Sequence, residues 1–275
     1  VIIPNLYLHY FSELLNQVLL TYEENGYKFL VFVGNRKEEV ERRYIRELMS
    51  YQIEGLLVMS HTIPSDVLAG LGIPIVSIER EDACISSVNC DNYMGAIQAV
   101  SLLTHRDCEV IIHINTPTVP SIPAYQRIVG FKDFCKEHGL KHEIFVRDMG
   151  EDYETMQRAM SEILDEIEEK YPNIKKGIFF SDDTRANCFL NLLIRRFKTL
   201  PEDYKLVGFD NSPISTEAVY SISTVGQQID VIAKEAVSLL IEQIEERKNS
   251  EGSEVPAPVH KVITPVLYQR ETTEL

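Results

Sequence analysis

Positive charge is what this chain is short of. Lysine and arginine number 27 against 42 aspartates and glutamates, a formal net charge of -15 over 275 residues. A surface this acidic repels phosphate backbones, so the chain as it stands is not expected to grip nucleic acid. No apolar run approaches the ~20 residues needed to cross a bilayer, and no association with a membrane is expected. The five cysteines, at positions 84, 90, 108, 135 and 188, are odd in number, widely spaced and without a CxxC. That argues against a disulfide framework and for a reducing cytosol. There is no signal peptide. The chain opens at Val1, without methionine and inside an apolar run, so a signal peptide or a whole domain is expected to have preceded it.

Catalytic signatures are missing as well. The chain has no GxSxG, no Walker loop, no HExxH and no GxGxxG after a strand, so it does not read as an enzyme and no cofactor is expected. His138 and His142 are four apart, but Gly139 falls between them near a helix end, which speaks against a metal pair. Asp182-Asp183 could hold a cation, yet adjacent side chains point different ways, and Asp183 reads as structural. The charge runs Glu166 to Lys170 and Glu242 to Lys248 read as solvated helix faces.

What is present is alternation. With 44% hydrophobic and 25% charged residues the chain is globular, and its length points to about two domains. Val1-Ile2-Ile3 reads as a strand. Phe11, Leu14, Leu15, Val18, Leu19 and Tyr22 recur at helical spacing, closed by Gly26. Strands over 29–33, 55–59 and 75–78 come next, separated by helices over 38–51 and 65–70, with a further helix over 91–103. The order then repeats: strands over 110–114, 143–146, 177–180 and 206–209, with helices over 125–138, 153–170 and 185–197 between them. Such alternation implies parallel sheets wrapped by helices, in two doubly wound units. A long helix over 228–247, a Ser/Gly/Pro-containing loop over 249–258 and one last strand over 259–266 complete the chain. No low-complexity tract or long Pro-rich linker separates the units, which suggests several short crossings. Leu206-Val207-Gly208-Phe209 has the character of a strand buried on both faces, so Asp210 falls at a strand's carboxyl end, where ligand crevices form in open α/β sheets. Asp210 also reads as a turn-former capping the next segment.

Several segments together resemble the effector-binding core of lactose-repressor-type (LacI/GalR) transcription regulators, which has the periplasmic-binding-protein type I fold. They are Val1 to Asn5 with Tyr10-Phe11; Gly72-Ile73-Pro74; Val88 with Asp91 to Ala96; Arg127 to Phe131; Phe180 to Asp183; Val207 to Asp210; and Ser223-Thr224-Val225 with Gln227. The likeness runs over nearly the whole chain. It implies three crossings, near Asp107, Gly226 and Ser250, and two subdomains, 1–107 plus 226–249 and 108–225 plus 250–275. It also implies a helix-turn-helix headpiece ahead of Val1, through which alone operator DNA would be bound. Two departures stand out. Asp107-Cys108 replaces the family's usual Gly-His, and Asp182-Asp183 replaces the usual Asn-Asp.

The resemblance places ligand contacts in a cleft between subdomains, at Tyr10, Phe11, Glu79, Arg80, Arg127, Tyr153, Asp182, Asp210 and Gln227. These types suit a small polar ligand: carboxylates accept from paired hydroxyls, Arg127 offers a planar fork, and an aromatic face covers one side of a sugar ring. Two of them keep another reading. Phe11 shares the helical spacing of core residues, and Arg80 beside Glu79, Glu81 and Asp82 reads equally as a surface ion pair. The reading that results is the effector-binding and dimerising core of a cytoplasmic bacterial regulator, with a small neutral sugar or sugar alcohol as effector. A homodimer is expected, through 214–222 with Val219 and Tyr220. An exported sugar receptor of the same fold is the alternative, and an enzyme with an unrecognised site a third.

Overall fold

The computed structural model describes residues 1–80, 83–150, 152–249 and 257–274. In chain order the elements begin β1 (Ile2–Ile3), α1 (His9–Leu20), α2 (Tyr22–Asn25), β2 (Phe32–Val33), α3 (Glu38–Ser50), β3 (Leu56–Val58), α4 (Ser65–Ala69), β4 (Ile75–Ile78) and β5 (Ser86–Cys90). Next come α5 (Asn92–Thr104), β6 (Val110–Asn115), α6 (Gln126–Glu137), β7 (His142–Val146), α7 (Tyr153–Lys170), β8 (Lys176–Phe180), α8 (Asp183–Phe197) and β9 (Tyr204–Asp210). The last are α9 (Ile214–Glu217), β10 (Ser223–Gly226), α10 (Ile229–Asn249), β11 (His260–Ile263), β12 (Val266–Tyr268) and α11 (Glu271–Glu274).

Two compact units result: Val1–Cys90 with Ser121–Pro123 and Ile229–Ile263, and Asp91–Pro120 with Ala124–Gln228 and Thr264–Leu275. The first unit's sheet runs β11-β5-β4-β3-β1-β2, the second's β12-β10-β9-β8-β6-β7. Every pairing is parallel except β10 with β12. Both are doubly wound α/β sheets. Each reverses its strand order once, at β1/β3 and at β6/β8, and in such sheets the crevice opens at the carboxyl ends of the strands flanking that reversal.

The helices form where apolar spacing allows one buried stripe. In α7, Met156, Met160, Ile163, Leu164 and Ile167 are buried, each such side chain contributing roughly 1.5–3 kcal/mol. Asp152 starts the helix by accepting from Thr155 N at 2.9 Å, which satisfies one of the amides the first turn leaves bare.

Three features differ from the sequence expectation. The first crossing falls after Cys90, not near Asp107, so α5 belongs to the second unit. It packs on α6 and lies against β8, β9 and β10. The close approach depends on Gly130, where a β-carbon would lie 2.6 Å from Tyr93 O. Second, the strand expected over 259–266 is two strands in different sheets: β11 pairs parallel with β5 and β12 antiparallel with β10. The chain passes to the second unit after Ile263. Ser250, where the third crossing was expected, and most of the 249–258 loop lie outside the described residues. Third, β5 was not expected at all. Its sequence is Ser-Ser-Val-Asn-Cys, yet all five residues are buried.

Candidate functional site

In the first unit, four of the expected residues gather at two places. Tyr10 and Phe11 lie in the first turn of α1, their rings edge to face at 5.2 Å. Tyr10 is buried with Leu14 and Val18, while Phe11 is only half-buried. Glu79 and Arg80 come directly after β4. Glu79 is buried, with φ at 55°, a left-handed conformation that is uncommon for a residue with a side chain. Its Oε1 accepts from Cys90 N at 2.7 Å, so the carboxylate fastens β4 to the end of β5. Arg80 is 8% exposed, and its guanidinium donates to Ser60 O at 3.1 Å and to Ile63 O. A surface setting is thereby replaced by a buried one, capping the carbonyls beyond β3. Glu81 and Asp82, its other expected partners, lie outside the described residues. Beneath this end, Glu41 is buried and accepts from Ser60 Oγ at 2.6 Å; burial raises its pKa, against the hydrogen bonds of Ser60 and Thr62.

In the second unit, Arg127, Asp182, Asp210 and Gln227 come together around the carboxyl ends of β8, β9 and β10. Arg127 reaches over from α6. Its Nε donates to Asn92 Oδ1 at 2.7 Å and its Nη1 to Ser181 O, and its flat face lies 3.7 Å above the Phe209 ring. A guanidinium has five donor hydrogens, and these bonds use two. Asp182 closes β8 and caps α8: Oδ1 accepts from Arg185 N at 2.9 Å, and Oδ2 from Arg185 Nη1 and from Ser181 Oγ at 3.2 Å.

Asp210 is the last residue of β9, with φ at 109°. Gln227 Nε2 donates to its Oδ1 at 2.6 Å. Burial drives the pKa of Asp210 well above the usual carboxylate range; Arg127 pulls it back, while Asp183 and Asp182 push the same way as burial. Gln227 is 1% exposed, and its Oε1 has no hydrogen-bond partner among the described residues. A buried carbonyl oxygen left without a donor is costly, and it marks where a hydroxyl hydrogen would be welcome.

Asp183 points the other way. Its Oδ1 accepts from Thr224 Oγ1 at 2.5 Å, and its Oδ2 from Ser212 N at 2.8 Å and Ser212 Oγ at 3.1 Å. It ties the start of α8 to the turn after β9 and to β10, and burial pushes its pKa up to about 7. Gly208 is required by this clamp, since a β-carbon there would lie 2.2 Å from Asp183 Oδ1. The two neighbouring carboxylates therefore do not converge, and among the described residues no cluster of three metal-ligating side chains occurs.

Tyr153 is not joined to this group. It is the first residue of α7, 47% exposed, and no hydrogen bond or ring contact among the described residues links it to Arg127 or Asp210. Sequence reasoning in turn passed over Asn92, Asn115, Arg185 and His113. Asn92 lies inside the Asp91 to Ala96 segment, but nothing local shows that it holds Arg127. His113 is fully buried between Phe131 and Phe179, with ring centroids at 5.2 and 4.6 Å. Burial lowers its pKa to about 3, so it is neutral. Its Nδ1 faces Phe179 O at 3.0 Å, a carbonyl that can only accept, so the proton is on Nδ1. Nε2 is left to accept from Asn115 Nδ2 at 3.2 Å, which fixes Asn115 at the end of β6, beside the strand-order reversal. Elsewhere, a cavity of about 320 Å³ between α3 and α10 in the first unit is lined mainly by hydrocarbon, including Phe29, Leu48, Leu57 and Ile244. It holds none of these groups.

The chain is similar to known proteins over nearly its whole length. Residues 100–273 match the periplasmic binding protein-like domain. The ribose operon repressor of Halalkalibacterium halodurans is 29% identical over 275 residues, covering 99% of this chain and 78% of that protein. The sucrose operon repressor of Streptococcus mutans is 26% identical, over 89% of this chain and 73% of that protein. Among solved structures, a periplasmic binding protein/LacI transcriptional regulator from Alkaliphilus metalliredigens, complexed with D-xylulofuranose, superposes with a TM-score of 0.83. It is 25% identical, over 98% of this chain and 97% of that one. This chain belongs to the periplasmic binding protein-like domain family, and it is similar over nearly its whole length to sugar operon repressors and a LacI transcriptional regulator.

Proposed function

We propose that this chain is the effector-sensing core of a transcription repressor and that its effector is a small neutral sugar or sugar alcohol. The observation that carries the reading is the group at the carboxyl end of the second sheet. Gln227 presents a buried acceptor without a donor among the described residues, Asp210 sits against its amide, and Arg127 keeps hydrogens to spare beyond Asn92 and Ser181. A polyol supplies both a hydroxyl donor for Gln227 and oxygen acceptors for Arg127. A phosphate dianion supplies acceptors only, and bringing it beside an ionised Asp210 would cost several kcal/mol unless that carboxylate took up a proton. The relatives named for ribose and sucrose operons, and the xylulofuranose complex, support the sugar class.

That the relatives are repressors favours a regulator over an exported receptor, and it favours a binding domain over an enzyme. The core works as a homodimer in the cytoplasm. The segment Ile214 to Ile222 is the pairing surface, where Val219 is 71% exposed. Arg270 holds this segment through Ser215 Oγ and Ile222 O, and Glu271 holds Ser221. The cysteines are all free thiols, which suits a reducing compartment, and no described helix is long and apolar enough to cross a membrane. DNA is bound only through a headpiece outside this chain. The test is a thermal-shift screen of sugars and their phosphates in matched pairs, with calorimetry on the hits. Stabilisation by a phosphate and not by its parent sugar would overturn the neutral-sugar assignment.

A further inference from the structure

Arg185 stands in the first turn of α8, where a helix's exposed amides make the environment positive and a cation is disfavoured. It is also 5% exposed, and burying a guanidinium is expensive unless it is paired. Helix propensity therefore gives no reason for arginine here. The last turn, by contrast, carries Arg195 and Arg196 where the dipole favours them.

A partner that offsets both costs is Asp182. Arg185 folds back one turn so that Nη1 bonds Asp182 Oδ2, while its own backbone N–H meets Oδ1. Its Nε lies 3.3 Å from Met149 Sδ, a fully buried sulfur and only a weak acceptor. The ion pair is shielded, with the two side chains 6% and 12% exposed. A carboxylate and the cation that offsets it are thus present together, three residues apart.

We propose that Arg185 is a specificity-determining residue: by pairing with Asp182 it keeps the carboxyl end of β8 electrically neutral, so that the site takes a neutral sugar and refuses a cationic amino sugar. Arg185 acts through Asp182 and not by touching the ligand, which makes it a positioning residue. The inference rests on the sugar-binding reading of the site.

The experiment compares the wild-type chain, Arg185→Met, Arg185→Lys and the double variant Asp182→Asn/Arg185→Met. The probes are D-ribose, D-xylulose and D-glucose as neutral sugars, and D-glucosamine, at mildly acidic pH, as the cation. Met keeps the contact with Met149 and removes the charge; Lys keeps the charge. Arg185→Met is expected to gain D-glucosamine affinity, relative to the neutral sugars, on the order of tenfold. Arg185→Lys and the double variant are expected to return to the wild-type preference, a rescue that lost packing alone would not produce. A folded Arg185→Met that still binds a neutral sugar with unchanged preference overturns the inference. If no sugar shifts any variant, the sugar-binding reading fails and the inference falls with it. A ligand-free arm stands apart from both outcomes: the two substitutions are expected to be non-additive in urea denaturation, and strict additivity would show that the pair is not coupled.

Discussion

Arg127→Lys tests site and fold together. The guanidinium joins four elements of the second unit: α6, which carries it; α5, through Asn92; the end of β8, through Ser181 O; and β9, through the face of Phe209. A lysine ammonium at the same depth keeps the charge but is a single point. Its hydrogens radiate from one nitrogen instead of lying in a planar fork, so it does not reproduce the paired geometry to Asn92 and Ser181, and it loses the flat stacking. One hydrogen bond to a charged group is worth about 1.5–3 kcal/mol, and a guanidinium over an aromatic face roughly 0.5–2 kcal/mol. The expected loss is therefore roughly 2–5 kcal/mol, or about 4–20 °C in Tm for a domain of this size. Sugar affinity should fall at least about tenfold, because the fork that spans two ligand oxygens is gone. Urea denaturation gives the first quantity and calorimetry the second. A variant within about 0.5 kcal/mol of wild type, the usual range for a surface change, would show that Arg127 is not the tie described. Unchanged sugar affinity would remove it from the site.

Gly208→Ala should cost about 1–3 kcal/mol by overpacking, since the new carbon meets Asp183 Oδ1 at 2.2 Å; an unchanged denaturation midpoint would refute the clamp. Asp183 gives a pH dependence. Its folded pKa of about 7 lies above an unfolded value of about 3.9, so between these the folded state holds the extra proton, and this group's contribution to stability falls as pH rises from about 4 to about 7. Asp183→Asn should remove that slope, seen as a wild-type-to-variant difference that moves in the variant's favour with rising pH; a difference independent of pH would contradict it. Asp210→Asn should weaken sugar binding by about 1.5–3 kcal/mol, measured by calorimetry, and retention of full affinity would count against Asp210 as a ligand group. Sedimentation should show a dimer at tens of micromolar protein, and a monomer there would dismiss the 214–222 surface. At net charge -15 the chain should show no operator binding at physiological salt; tight, salt-sensitive binding in a mobility-shift assay would refute that.

What the sequence determined by itself was whatever local pattern records. Apolar runs such as 110–114 and 206–209 bury both faces of a strand and say so in every residue; α7 carries its buried stripe in its own spacing; Asp210 ends its strand by chain position alone. Arg127 was legible through the motif around it. Only the tertiary structure decided the rest, because the deciding partners lie far along the chain. The polar residues of β5 are tolerable inside because Ser86 Oγ accepts from Gln243 Nε2 at 2.6 Å and from Val259 N at 3.0 Å, bonds that no window around Ser86 contains. The continuous run over 259–266 is apolar enough for one strand, but β5 and β10 each offer it an edge, so it divides between two sheets. Asp182 counted as a bare carboxylate in the sequence, and its charge is cancelled by an arginine one helical turn away that folds back onto it. Hydrophobic burial is non-directional and leaves its trace in composition and period, whereas the pairing of buried polar groups is directional and fixed only when the chain has closed on itself.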